Sequence, residues 1–142
     1  MREDKYDKHI IEELKKLPVP LKTFDGHDVY FDQNKRYETI YEHIANKKHH
    51  LHIKDIFQVP KILLNKNNVK KDKNGKKFRA YIAKREKRKE RAKYLRITTR
   101  IYPNNKETII TISPIKKNWL LKCYSINYKC QRWKSAFDHD AS

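Results

Sequence analysis

The chain has few acidic residues beyond its first third, only two cysteines and no long apolar run. No segment approaches the roughly 20 apolar residues that a membrane helix needs, and the start MREDKYDKHI lacks the basic-then-apolar order of a secretory signal. We therefore expect a cytoplasmic protein that does not enter a membrane. Cys123 and Cys130 are too few for a disulfide scaffold, and CYSINYKC lacks the CxxC spacing of a metal site. Two free thiols are expected, although a hairpin could permit a bridge.

Basic residues dominate the rest of the chain. The sequence has 35 Lys and Arg against 17 Asp and Glu, a net charge of +18, and 10 of those acids lie in residues 1–42. Residues 70–100 alone hold 15 basic and 3 acidic side chains. Concentrated positive charge attracts phosphates and releases their counterions on contact. Nucleic acid is therefore the first partner to consider.

Length and composition favour one folded domain. Hydrophobic and charged residues each make up 37% of the 142 residues, and 9 Tyr, 5 Phe and 2 Trp are interleaved with β-branched residues. A chain of this size can bury roughly two-thirds of its unfolded surface. We expect a helical N-terminal extension (1–24), a core (25–117) and a tail (118–142) that packs on the core.

Helical patterns fill the first half. Residues 7–17 carry apolar side chains at helical spacing and stop at Pro18. A short strand is expected around Val29, Tyr30 and Phe31, after the Asp25-Gly26 turn. A second helix is expected over 34–48, and a third over 53–64 should bend near Pro60.

Strand patterns fill the second half. Phe78, Tyr81 and Ile82 come first, followed by YLRITTRIY (94–102) and ETIITISPI (107–115). The short PNNK loop predicts that the last two strands form an antiparallel hairpin. The charged run 84–93 fits either a helix or an exposed hairpin arm, and its state stays open. The fold class is therefore α+β.

Three segments carry side chains suited to phosphate chemistry: HIANKKHH (43–50), the basic strand region 79–100, and TIITISPIKK (108–117). Cleavage of RNA without a metal needs a base for the 2'-hydroxyl proton, an acid for the 5'-oxygen, and cations or hydroxyls for the phosphorane. Histidine is the natural proton carrier near neutral pH. No cofactor is required.

The histidines also have structural interpretations. His43 lies beside an apolar stripe and could simply pack there. His49, His50 and His52 could form a solvated helix end that interacts with the helix dipole. A zinc site is disfavoured because no cysteine is placed at ligand spacing to complete it.

Candidate phosphate contacts lie mainly on the strands. Thr111 and Ser113 differ by two positions and so share one face of a strand, although threonine is common in strands anyway. Lys116 and Lys117 follow that strand and could equally be solvated. The other candidate substrate contacts are Arg36, Arg79, Tyr81, Arg85, Arg96 and Arg100.

The order of these motifs resembles the phage-associated barnase-EndoU-colicin-RelE-like (BECR) nucleases. That family's HI-x-x-x-KH type motif is matched by His43, Ile44, Lys48 and His49, and its T-x-[YFS]-P-x-K strand end by Thr111, Ser113, Pro114 and Lys116. Its asparagine-rich turn is matched at 64–68, where Lys66 replaces the family's proline. The resemblance covers about residues 29–117.

The resemblance implies a metal-independent ribonuclease with helices packed on an antiparallel sheet of about four strands. His43 and His49 would then divide proton transfer, and Thr111 and Lys116 would steady the phosphate. The substrate would be RNA, tRNA being plausible, and the protein would be a toxin-like or phage-encoded effector. An acidic immunity or antitoxin protein would be expected to cover the site.

Two other functions fit the same residues. A non-catalytic nucleic-acid-binding protein could use the basic face and the many tyrosines as stacking platforms. A basic adaptor or inhibitor could instead clamp an acidic protein. RNA cleavage in EDTA separates the first function from these two.

Overall fold

The computed structural model describes residues 5–32, 39–71, 77–86 and 92–117. Within these ranges the chain forms three α-helices and six strands. In chain order they are α1 (Lys8–Lys16), β1 (Leu21–Lys22), β2 (Asp28–Phe31), α2 (Ile40–Ile44), α3 (Ile53–Leu64), β3 (Val69–Lys71), β4 (Phe78–Lys84), β5 (Tyr94–Tyr102) and β6 (Lys106–Ile115). Short 3₁₀ turns span Lys47–His49 and Lys66–Asn68. Arg36 and the tail 118–142, with Cys123 and Cys130, lie outside the described residues.

The six strands form one mixed sheet in the order β1-β2-β6-β5-β4-β3. The α+β class is confirmed, but the expectation of about four antiparallel strands is corrected. β1 and β3 are two- and three-residue strands that extend the sheet edges, and β2 pairs with β6 in parallel. Strands of two or three residues are too short to show an alternation of apolar and polar side chains. A parallel pair also joins residues that are distant in sequence, so neither feature shows in the local pattern.

The predicted hairpin of β5 and β6 is confirmed. Its register runs from Tyr94 opposite Ile115 to Tyr102 opposite Lys106. The register shifts in the middle: Thr98 pairs with Thr111 but Thr99 pairs with Ile109, which leaves Ile110 as an extra residue. A bulge of this kind reverses which residues of a strand face each side.

One face of the sheet packs against the helices, and we call it the core face. Its members include Tyr81, Ile97, Ile109 and Ile112, which belong to one buried cluster with helix residues. The helix residues of that cluster are Ile10, Leu14, Ile40, Ile44, Ile56, Val59, Ile62 and Leu63. Burial of these apolar side chains is the main stabilising term of the fold. We call the opposite side of the sheet the far face.

The helices start where the sequence offers a cap. Asp7 caps α1 through the backbone N–H groups of His9 and Ile10, and the predicted first helix is confirmed. α2 is capped by Thr39 and ends at Ile44, so the expected helix to residue 48 is too long. Asn46 pairs with Tyr6 and its side chain accepts from the Lys48 N–H, which starts the 3₁₀ turn instead.

α3 is one helix that continues through Pro60. It begins at a capping box, in which the His52 ring accepts from the Lys54 N–H and the Asp55 carboxylate accepts from the His52 N–H at 2.8 Å. Among the described residues, no helix is long and apolar enough to cross a membrane.

Candidate functional site

The end of α2 and the following 3₁₀ turn bring two imidazoles together. The ring centroids of His43 and His49 lie 5.8 Å apart, with the rings inclined at 78°. Both side chains are partly exposed. The turn at Asn46 reverses the chain so that residues six apart in sequence meet. Two of the four residues placed in the catalytic step by the sequence are therefore neighbours.

The hydrogen bond of His49 determines its tautomer. Its Nδ1 lies 3.2 Å from the carbonyl oxygen of Ile44. Since a carbonyl oxygen only accepts, Nδ1 must carry the proton. In the neutral imidazole, Nε2 then holds the lone pair, which is the arrangement of a general base.

The charged side chains of the 3₁₀ turn are basic. Lys47, Lys48 and His50 are exposed there. Positive charge at this position attracts a phosphate to the imidazole pair. His52 has a structural role, because its Nδ1 accepts a hydrogen bond from the Lys54 N–H and so caps α3.

The far face carries hydroxyl and guanidinium groups from β5 and β6. Thr98 lies opposite Thr111, and Arg96 lies opposite Ser113, whose Oγ is 3.4 Å from a guanidinium nitrogen of Arg96. Arg100 lies on the same side of β5, because residues two apart in a strand share a face. Arg100 is the exposed member of this set, whereas Arg96, Thr98, Thr111 and Ser113 are half-buried and the Nε atom of Arg96 is enclosed. An exposed guanidinium can contact a phosphate of a nucleic acid.

Aromatic residues flank these groups on the far face. Tyr30 lies opposite Thr108, and Phe78 lies opposite Arg100, whose guanidinium carbon is also 5.2 Å from the centre of the Tyr102 ring. Aromatic rings on a sheet are platforms on which bases stack. The sequence suggested tyrosines as stacking platforms but did not indicate which aromatic residues share a face, because the strand register that aligns them is not visible in the chain.

The structure does not bring the imidazoles and the strand hydroxyls onto one face. Ile112 points into the core cluster that includes Ile40 and Ile44 of α2. Thr111 and Ser113 flank Ile112 in the strand, so they point to the far face. Lys116 and Lys117 follow the end of β6 and are exposed. The described geometry thus separates the histidine pair from the far face of the sheet. Part of that face is buried, at Ala80, Ile82, Tyr94 and Ile115, and its exposed members on β5 are Arg100 and Tyr102.

A buried carboxylate on the core face holds four donors. Glu107 is fully buried, and its oxygens lie 2.7 Å from His27 Nδ1, 2.8 Å from Arg79, 2.9 Å from the Tyr81 hydroxyl and 2.6 Å from the Thr99 hydroxyl. Burial raises the pKa of Tyr81; a hydrogen bond with Arg79 opposes this, and the nearby Glu107 carboxylate adds to it. Tyr81, expected as a substrate contact, therefore donates to a carboxylate inside the protein.

Arg79 joins this cluster to the turn before β2. Its two terminal nitrogens lie 3.1 and 2.6 Å from the carboxylate oxygens of Asp25, in a bidentate pair. Burial acts to raise the pKa of Asp25, but hydrogen bonds from Arg79 and Thr23 outweigh it and lower the pKa from 3.8 to about 2. The Arg79 guanidinium, expected to bind substrate, is engaged with Asp25 and Glu107.

Asp25, His27 and Glu107 are also a potential metal-ligand set. Among the described residues, one ligand atom from each can be chosen so that all lie within 4.8 Å of one another. Arg79 already donates to both carboxylates, so its guanidinium supplies the positive charge that a metal ion would bring. Sequence reasoning missed this cluster, because Glu107 is 80 residues from His27 in the chain and no recognisable spacing connects it to Asp25 and His27.

Arg85 lies inside the protein rather than at a surface. Its side chain is 1% exposed and forms two hydrogen bonds of 2.9 and 2.7 Å to Asp55, which is itself fully buried. A third bond of 2.8 Å reaches the Ala92 carbonyl oxygen. This guanidinium, expected to contact substrate, is fixed against α3.

Acidification should weaken the Asp25 contacts. The pKa of Asp25 is about 2 in the folded protein and 3.8 ordinarily, so the ionised carboxylate stabilises the fold fully at pH values above 3.8. The contribution is lost as the pH falls toward the folded value. The difference in free energy of unfolding between the wild type and Asp25→Asn, measured by urea titration, should therefore shrink from about pH 5 to about pH 2. A difference that stays constant would contradict this. Glu12→Gln, at an exposed position of α1, is the control.

Comparison with protein-family models, curated proteins and solved structures finds no match to this chain.

Proposed function

We propose that this protein is a metal-independent endoribonuclease that uses His43 and His49 as its proton carriers. The observation that carries the proposal is the imidazole pair, with ring centroids 5.8 Å apart and the tautomer of His49 fixed by Ile44. Two imidazoles are sufficient for the acid and the base of RNA cleavage by the 2'-hydroxyl.

In this proposal His49 Nε2 takes the proton of the 2'-hydroxyl as its oxygen attacks phosphorus. The bond between phosphorus and the 5'-oxygen breaks, and protonated His43 gives its proton to that leaving oxygen. The products are a 2',3'-cyclic phosphate and a 5'-hydroxyl end. Lys47 and Lys48 lie in the same turn, where their charge favours the phosphorane.

The far face would bind the RNA away from the scissile linkage. Arg96, Arg100, Thr111 and Ser113 would contact phosphates, and Tyr30 and Phe78 would stack with bases. Lys116 and Lys117 would extend this positive surface beyond β6. A toxin-like role, with an acidic inhibitory protein over the basic surface, is part of the same proposal.

The test is incubation of the purified protein with total RNA in EDTA. We expect discrete fragments whose 5'-hydroxyl ends accept phosphate from polynucleotide kinase without prior dephosphorylation, and whose 3' ends are cyclic phosphates. Intact RNA, fragments with 5'-phosphate ends, or cleavage that EDTA abolishes would each overturn the proposal. A preparation carrying both His43→Ala and His49→Ala controls for contaminating ribonuclease.

The second candidate is a non-catalytic RNA-binding protein, and the far face favours it. Its guanidinium, hydroxyl and aromatic groups are complete without the imidazoles. Intact RNA together with tight, salt-sensitive binding that Arg100→Gln weakens would support this function over the enzyme.

A further inference from the structure

The outward side of α3 exposes two large apolar side chains. Phe57 is 57% exposed and Leu64 is 56% exposed, the highest values among the large hydrophobic residues that the structure describes. They are seven residues apart, so they lie on the same side of the helix, two turns from each other. The other aliphatic residues of its last three turns, Ile56, Val59, Ile62 and Leu63, are buried. Phe57 and Leu64 are thus not among the side chains that pack α3 against the core.

A depression adjoins the C-terminal end of α3. Its volume is about 530 Å³, and it is lined by Phe24, Lys61, Leu64, Asn65, Lys66 and Asn67. The Phe24 backbone N–H donates to the Leu63 carbonyl oxygen at 3.0 Å, which holds the Phe24 backbone beside the helix end. The guanidinium carbon of Arg79 lies 5.3 Å from the centre of the Phe24 ring. Phe24 and Leu64 supply apolar contact area, and lysines and asparagines surround it. The depression has room for an apolar side chain of a partner.

The charged residues of this surface are all lysines. We define the α3 surface as Lys54, Phe57, Lys61, Leu64, Lys66 and Phe24, and its three lysines are exposed. Asp55 lies on α3 but is buried against Arg85. Asp25, next to Phe24, is paired with Arg79. Among the described residues, none of these three lysines forms an ion pair, so an acidic partner would meet positive charge on the α3 surface.

We propose that the α3 surface binds an acidic, amphipathic helix of another protein. Phe57, Lys61 and Leu64 form a ridge at helical spacing, which suits a second helix with apolar residues three, four and seven positions apart. Acidic residues beside that apolar stripe would pair with the lysines. A second copy of this chain is disfavoured as the occupant because each copy carries +18. This inference does not depend on RNA cleavage.

The probe is a labelled synthetic peptide of about 16 residues with leucines on one helical face and glutamates beside them. A scrambled peptide of the same composition, without an apolar face, isolates the contribution of shape from that of charge. At roughly 150 mM salt, fluorescence anisotropy should show at least about tenfold tighter binding of the amphipathic peptide.

The double variant Phe57→Gln and Leu64→Gln should erase this preference. Glutamine keeps helix propensity and leaves the protein charge unchanged. Val19→Gln is the matched control, because Val19 is 43% exposed but is not part of the α3 surface. Unchanged circular dichroism and melting temperature establish that each variant is folded.

Four results would overturn the inference. The two peptides could bind equally, which would leave only attraction between opposite charges. The double variant could keep the preference, which would mean that residues other than Phe57 and Leu64 recognise the apolar face of the peptide. Sedimentation could instead show a dimer that the double variant abolishes, which would assign the α3 surface to a second copy. Loss of RNA binding in the double variant, with peptide binding intact, would assign it to nucleic acid.

Discussion

Replacing His49 with asparagine is expected to reduce the rate of RNA cleavage by about 10²–10⁴-fold. The side-chain amide of asparagine can still donate to the Ile44 carbonyl oxygen, as His49 Nδ1 does at 3.2 Å. It has no atom equivalent to Nε2, so the base is removed while the local hydrogen bond is kept. This substitution separates chemistry from folding more cleanly than alanine does.

The measurement is single-turnover cleavage of a labelled RNA, with RNA affinity and melting temperature recorded alongside. Affinity should change less than threefold or so, because the proposed binding groups lie on the far face. His9→Asn is the matched control, because His9 is exposed on α1. Full activity of His49→Asn would remove His49 from the mechanism. A parallel loss of affinity and activity would favour a binding role instead.

Replacing Arg85 with methionine is expected to lower the free energy of unfolding by about 3–5 kcal/mol. Asp55 is fully buried and receives two hydrogen bonds from Arg85. Methionine leaves that carboxylate charged and unpaired away from water, and this accounts for most of the cost. Urea titration of the wild type and the variant measures the change.

A double variant isolates the buried charge from the packing of the side chain. Adding Asp55→Asn to Arg85→Met removes the unpaired charge, and asparagine can still accept from the His52 N–H at the start of α3. The double variant should therefore be more stable than Arg85→Met alone. Normal stability of Arg85→Met, with weakened RNA binding, would restore the role that the sequence alone suggested for Arg85.

Local patterns predicted the elements whose side chains alternate or repeat over many residues. The β5–β6 hairpin and α1 follow from such patterns and from their turn and cap residues. The parallel pairing of β2 with β6 could not be predicted in this way, because it joins residues 78 apart in the chain, such as Asp28 and Lys106, and depends on the packing of the whole sheet. α2 is shorter than its pattern suggested, because Asn46 offered the backbone a competing turn.

Part of the candidate site was also predictable from local sequence patterns. The spacing of His43 and His49 identified two residues that meet in space. The direction of Thr111 could not be read from the chain, because strict alternation from Glu107 would have placed it on the core face. Nothing local marked Glu107 as buried either, since an acidic residue at the start of a strand is usually solvated.

The extra residue at Ile110 divides β6 into two parts in which the side chains alternate with opposite phase. Before it, Glu107 and Ile109 point inward, and after it Thr111 and Ser113 point outward. The two parts of this strand consequently direct alternate side chains to opposite faces of the sheet, the first part with one phase and the second with the other. Insertion or deletion of one residue between 109 and 111 would reverse the faces to which the side chains of one half of β6 point. Apolar and hydroxyl groups would then exchange sides of the sheet, although the amino-acid composition of the strand would be nearly unchanged.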